Sequence, residues 1–217
     1  MSTKNLLLAA ALAGLGISQA NAAVISFSTP LVLETTEINQ SLVLDKFDNS
    51  LGTLDAVTVE FFGRGVSSAT IENTAANPQR FRFSSTLDLI FSGPLSELIS
   101  ISLFDTNGIV TIANNQTLDL GAVDFSNSRT VGIDPVAFAS FIGTDRLSFA
   151  CESFVTNTQS GGGGNVVVRQ STQAGCGVTV SYDYTAAPTQ NAVPEPGSLA
   201  LLGLGLVGIA SRLRRKA

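Results

Sequence analysis

The chain has 217 residues, a formal net charge of −5, two cysteines, no tryptophan and no histidine. Without histidine there is no Ser-His-Asp or Cys-His catalysis, no histidine general base and almost no zinc or copper chemistry. The acidic balance argues against nucleic acid or anionic lipid as a partner.

Residues 1–22 read as a signal peptide. Lys4 supplies the positive start, residues 6–17 the apolar stretch, and Ala20-Asn21-Ala22 a small-x-small site for signal peptidase. The apolar stretch is short for a permanent anchor, and the mature chain is expected to begin near Ala23, outside the cytosol. Without this leader and residues 194–217, 7 cations and 16 carboxylates remain, a net charge of about −9.

Residues 23–187 form one domain of short alternating runs rich in Val, Ile, Phe, Thr and Ser, split by Gly, Asn, Asp and Pro. Val57, Val59 and Phe61 share one face, with Thr58 and Glu60 on the other. Phe81 and Phe83 alternate with Arg80, Arg82 and Ser84; Val178, Val180, Tyr182 and Tyr184 alternate with Thr179, Ser181 and Asp183. Roughly ten such runs predict an all-β, antiparallel sandwich of jelly-roll or Ig-like type. The one helical candidate is a turn over residues 135–140, with Asp134 as cap and Pro135 at its first position.

The run from Lys46 to Val59 contains Phe47-Asp48-Asn49, Gly52 and then Leu54, Val57 and Val59. Its residues read as a hairpin corner: Phe47 packs inward, Asp48 and Asn49 tolerate turns, and Gly52 allows a positive φ. The same run resembles the opening K-F-D-x-x-L-G-T-L-x-x-V motif of the choice-of-anchor E domain. Ile71-Glu72-Asn73-Thr74, Phe141-Ile142-Gly143-Thr144 and the closing Val178-Thr179-Val180-Ser181-Tyr182-Asp183-Tyr184 fit it as well. The 119–125 stretch keeps only part of that family's Asp-Gly…Asp-Phe-x-Gly pattern. The resemblance implies a secreted β-rich domain, held by different anchors in different bacteria, with no established activity.

Cys151 lies on the face of Leu147 and Phe149, and Cys176 on the face of Val178 and Val180. An even pair in an oxidising compartment predicts a disulfide across Gly161-Gly162-Gly163-Gly164, with a reactive thiol as the rival reading. A glycosidase needs two carboxylates across a cleft, and no pair of the remaining acids has a distinctive spacing. Asp105-Thr106-Asn107-Gly108 has the residue types of a calcium loop, the only cofactor the composition suggests, and equally those of a hairpin turn, which is favoured. Catalytic, cofactor-binding and metal residues are therefore expected to be absent.

Residues 188–193 form a linker, and Pro194-Glu195-Pro196 a joint that continues neither helix nor strand. Residues 197–210 are apolar, a short transmembrane helix of roughly 21 Å, below the usual length of a stable span. Arg212, Arg214, Arg215 and Lys216 follow and are expected to stay cytoplasmic. Gly203-Leu204-Gly205-Leu206-Val207-Gly208 matches G-x-G-x-x-G without any βαβ unit around it, so no dinucleotide site is read there. The arrangement resembles the PEP-CTERM sorting signal of Gram-negative bacteria. That resemblance implies cutting by an exosortase after a transient stay in the inner membrane, then association with the cell surface or an exopolysaccharide biofilm matrix. Two functions follow as expectations. The first is a non-enzymatic structural or adhesive matrix protein. The second is a carbohydrate-binding module that holds exopolysaccharide through a solvent-facing aromatic strip, for which Phe61, Phe62, Phe81 and Phe83 are the candidates, most of them expected to be core.

Overall fold

The computed structural model describes residues 22–187. The leader apart from Ala22, the linker and the sorting tail lie outside the described residues, and with them Ala20, Pro194, Glu195, Pro196, Arg212, Arg214 and Arg215. Ten strands form: β1 (Ala22–Ser28), β2 (Glu34–Thr35), β3 (Asn39–Asp45), β4 (Gly52–Asn73), β5 (Gln79–Ser92), β6 (Glu97–Asp105), β7 (Val110–Ile112), β8 (Thr117–Gly132), β9 (Arg146–Gly161) and β10 (Val166–Ala186). Two short 3-10 turns, Asn49–Leu51 and Pro135–Ser140, join them. The second is the expected helical turn: the Asp134 carboxylate accepts the Val136 N–H at 3.0 Å, and Pro135 opens it.

The strands make two five-stranded antiparallel sheets. One runs β1-β10-β4-β8, with β2 beside β10; the other runs β3-β9-β5-β6, with β7 beside β5. Setting aside the short β2 and β7, the first strand pairs with the last, β3 with β9, β4 with β8, and the two middle strands β5 and β6 with each other. The chain is thus one long antiparallel ribbon folded over on itself. Two further ladders close the fold, β10 on β4 and β9 on β5.

The period-two pattern decides the faces. Val57, Val59, Phe61, Ile71, Val178, Val180 and Tyr182 are buried from one sheet; Phe81, Phe83, Leu87, Leu89, Phe91 and Phe149 from the other. Together they make one core. Gly63 and Gly65 sit at inward positions of β4 for a packing reason: a Cβ at Gly63 would overlap Leu89, and one at Gly65 would crowd Leu87. The two leucines fill the space the glycines leave.

Two expectations about turns change. The corner after Phe47 is not a hairpin, because β3 and β4 belong to different sheets. It carries the chain across the core instead. The Phe47 N–H donates to Phe141 O at 2.9 Å, and the Gly143 N–H to Phe47 O at 3.0 Å, forming a parallel bridge to Ile142. Its ring packs on Tyr182 and Tyr184, with centroids 5.7 and 5.2 Å away. Gly52, at φ +152°, passes so close to β10 that a Cβ would overlap Thr185 O. The second change concerns residues 105–108. β6 and β7 do not pair with one another; both lie on the same edge of β5, and this stretch is a bulge between them. Asp105 accepts the Asn107 N–H at 2.8 Å, and the Thr106 hydroxyl donates to Gly108 O at 2.8 Å.

The predicted disulfide is present. Cys151 in β9 and Cys176 in β10 are bonded, with Cα atoms 6.4 Å apart, and both are fully buried. The bond ties one sheet to the other. The segment it closes contains Gly161, Gly162, Gly163 and Gly164, all with φ between +55° and +85°, a run that residues with a Cβ seldom adopt. One polar residue is wholly buried at the far end of β4. Asn73 donates through Nδ2 to the carbonyls of Asn77 (3.0 Å), Ile112 (3.1 Å) and Ala113 (3.0 Å), and accepts the Ala75 N–H at 2.9 Å.

Three outcomes follow from this packing. Burial of the disulfide predicts that reductant leaves the folded protein oxidised and acts only during unfolding. A reduced and alkylated sample should melt well below the native one, by a free energy of about 2–5 kcal/mol; rapid reduction without unfolding would contradict the placement. Asn73→Asp sets a carboxylate against three carbonyl oxygens. It should cost about 2–4 kcal/mol in denaturant titration, where Asn77→Asp, on an exposed side chain, should cost little. Burial first, then the charge of Asp45, pushes the Tyr182 phenol up to about 12 from 10.0. Its folded pKa is the higher one, so its contribution is whole below pH 10 and is lost as pH rises toward 12. Alkaline unfolding should show this loss of roughly 2–3 kcal/mol, and Tyr182→Phe, which keeps the ring, should flatten it.

Candidate functional site

The ribbon topology gives the domain two unlike poles. Ala22 lies opposite Thr185, Gly52 opposite Ala186, and the Ala187 N–H donates to Leu51 O at 2.8 Å. The first and last described residues therefore sit together, beside the Phe47 bridge. This pole is rich in charge. Lys46 meets Asp145 at 2.9 Å and Arg146 meets Asp45 at 2.6 Å, one pair on each side of the bridge. The ammonium of Lys46 holds the Asp145 carboxyl below its usual range. Hydrogen bonds from Ser50, above all its backbone N–H, do the same for Asp48. These carboxylates are solvated, and such pairs orient more than they stabilise.

The opposite pole is reached by following β4 from Gly52 to Asn73, on the order of 70 Å along the strand. Three connections meet there: residues 74–78, 113–116 and 162–165. The Asn73 N–H donates to Gln116 O at 2.9 Å and the Thr74 N–H to Asn165 O at 2.8 Å. With the Asn73 side chain, these bonds fix the three connections to one another. None of the three carries an ionisable side chain, and Asn77, Asn114, Asn115, Gln116 and Asn165 are all exposed. Sequence reading misses this surface. The one local signal is Asn73, a polar residue at an inward-facing position of an apolar alternation.

The residues singled out in the sequence fall as follows. Phe61, Phe81 and Phe83 are buried at 0%, 1% and 1% exposure, so they are core and form no aromatic strip. Phe62 points to the other face of β4, where its ring covers Gly177. The exposed aromatics are Phe125 and Phe154, on β8 and β9 of different sheets. The 119–125 stretch is part of β8, an edge strand. Asp119 accepts the Gly121 N–H at 2.8 Å, and Asp124 is held by both ends of the Arg64 guanidinium, at 2.8 and 2.5 Å. The guanidinium holds the Asp124 carboxyl below its usual range.

An open groove of about 440 Å³ runs between residues 29–34 and β3. Its single carboxylate, Glu34, takes a hydrogen bond from Gln40 Nε2 at 3.0 Å. A lone engaged carboxylate does not make the acid-base pair of glycoside hydrolysis. Among the described residues no group of three or more Cys, Asp or Glu side chains is gathered to hold a metal ion. No described helix is long and apolar enough to cross a membrane.

Residues 192–216 match the PEP-CTERM protein-sorting motif. No curated protein matches the chain. Among solved structures, the T13 infectious bursal disease virus particle is 12% identical over 88% of this chain and 47% of that one, with a TM-score of 0.22. The same virus's Gx strain is 12% identical over 86% and 48%, at 0.22. The parasporin-2 toxin of Bacillus thuringiensis is 14% identical over 75% and 69%, at 0.15. The chain spans about half the length of the viral chains, and at these scores the likenesses carry no argument. The sorting motif does: it supports an exosortase substrate, exported through the membrane to the cell surface or beyond.

Proposed function

We propose that this chain is a non-enzymatic structural or adhesive protein of the extracellular, exopolysaccharide-rich matrix, cut by an exosortase at the Pro194-Glu195-Pro196 joint. The observation that carries the reading is the sorting motif at residues 192–216. Signal peptidase removes the leader at Ala20-Asn21-Ala22. The short apolar helix then holds the chain in the inner membrane with its arginines inside until the joint is cut. Trimming after Ala22 leaves β1 intact from Ala23, opposite Tyr184.

The domain itself is a jelly roll in this reading. First-with-last pairing of eight strands in two sheets is the plan of a double Greek key. The choice-of-anchor E resemblance fits the same picture. Its opening segment at Phe47, its Phe141-Ile142-Gly143-Thr144 segment and its closing Tyr182 and Tyr184 come together at one bridge. What those segments share is a device that holds the fold, which suits a module whose task is to be stable and presented. The absence of histidine and the scattered carboxylates favour a protein that performs no chemistry and needs no cofactor or calcium. Carbohydrate binding is the second reading, favoured by the uncharged pole rather than by any aromatic strip.

C-terminal peptide mapping of the native protein, from a strain with its exosortase intact, tests the main reading. Peptides ending within residues 190–200 are expected. Recovery mainly of peptides ending at Ala217 would make this a simple membrane-anchored protein instead.

A further inference from the structure

We propose that the pole formed by residues 74–78, 113–116 and 162–165 is a contact surface for an uncharged, hydroxyl-rich polymer, a neutral polysaccharide. The inference rests on surface presentation by the sorting tail and names the partner. Three observations lead to it. The first is position. The first and last described residues both lie at the Phe47 pole, so a domain held by its C-terminal tail exposes the other pole farthest from the attachment point.

The second is order. The three connections are joined by backbone bonds and by the four hydrogen bonds of fully buried Asn73. A surface fixed before contact loses little conformational entropy on binding. A positive φ at Asn115 accounts for that asparagine as a turn former. Asn114 shares that turn, closed by the Gln116 N–H on Ala113 O at 3.3 Å, and Asn165 Nδ2 reaches Gly163 O at 3.5 Å, which leaves Asn77 and Gln116 without such a backbone reason.

The third is charge. Residues 23–187 carry 23 ionisable Asp, Glu, Lys and Arg side chains, yet none of the three connections has one. The nearest, Arg80, Asp119 and the Glu72–Arg169 pair, belong to the strands that lead away. Exposed loop tips ordinarily carry charge for solubility. Amides offer both donors and acceptors to hydroxyl groups and are cheaper to strip of water than charged groups. An anionic polymer is disfavoured, because the domain is net negative by about 9 and the three connections carry no cation of their own; Arg80, whose carbonyl accepts the Gly162 N–H at 2.9 Å, stands at their border.

The test uses protein purified from its producing strain, applied to beads of dextran, agarose and cellulose, with alginate as the anionic comparison. Retention on at least one neutral polymer is expected, little changed between roughly 50 and 500 mM salt. The isosteric triple variant Asn77→Asp, Asn114→Asp and Gln116→Glu should bind at least tenfold more weakly. Asp183→Asn, at the other pole, should bind as the parent does. Should the acidic variant fail to fold, Asn77→Ser, Asn114→Ser and Gln116→Ser should show the same loss. Failure on every neutral polymer, undiminished binding by the variants, or retention on alginate alone would overturn the proposal. So would a concentration-dependent mass that the acidic variant abolishes, since that assigns the pole to a second copy of the chain. These results are independent of C-terminal mapping, so loss of this inference leaves the sorting reading standing.

Discussion

The fold depends on what happens at Phe47, where the chain must leave one sheet and enter the other without leaving backbone groups unpaired. The bridge to residues 141–143 satisfies the Phe47 N–H and C=O, while its ring, 1% exposed, fills the space between Tyr182 and Tyr184. Three segments far apart in sequence, around residues 47, 142 and 183, are thereby brought to one point. The two ion pairs beside the bridge are solvated on at least one partner, so apolar burial and aromatic contact supply the free energy. Tyr182 extends the same knot: its hydroxyl donates to Asp45 O at 3.3 Å, closing β3 against β10.

The disulfide and Asn73 do for the rest of the core what Phe47 does at its pole. Cys176 faces Gly63 across the β4–β10 ladder and reaches Cys151 in the other sheet. The inward glycines Gly63 and Gly65 let Leu89 and Leu87 interlock at the same level. At the far end Asn73 replaces apolar packing with hydrogen bonds to backbone groups of two connections, 74–78 and 112–113, and the Thr74 N–H ties in the third at Asn165 O. Each device joins elements that are distant in sequence, as an antiparallel roll requires, since its local hairpins alone do not enclose a core.

How much of this was legible follows from the range of each interaction. Alternation is local, so the buried faces of β4, β5, β9 and β10 were readable from Val57-Val59-Phe61 and its counterparts. The facing of Cys151 and Cys176 into the core was readable on the same ground. Partner choice is not local. Residues 46–59 carry every sign of a hairpin, and residues 105–108 are good turn formers, yet both stretches link strands that pair elsewhere. Turn chemistry reports that the backbone bends and says nothing about which strand it meets. Most of Phe61, Phe62, Phe81 and Phe83 are expected in the core, and Phe61, Phe81 and Phe83 are buried there; alternation identifies two faces without saying which one the second sheet covers. The sorting tail was readable because its parts are contiguous. The uncharged pole was not, because residues 74, 116 and 165 are neighbours only after β4, β8 and β10 have paired.

The same topology decides how an attached tail bears on the domain. The tail continues from β10, which is not an edge strand: it pairs with β1 on one side over residues 179–185 and with β4 on the other over its whole length. A pull along the tail therefore loads many ladder bonds together in shear. A tail leaving β8 or β6, both edge strands, would peel its ladder one bond at a time. Cys176 lies in β10 beyond the β1-paired stretch, and its bond to Cys151 passes load from the central strand of one sheet to that of the other. The sorting motif at residues 192–216 follows in sequence on a strand that is paired along both edges near its exit, to β1 and to β4. A cut anywhere within that motif lies beyond the last ladder pair, Ala186 with Gly52, and breaks none of the ladders.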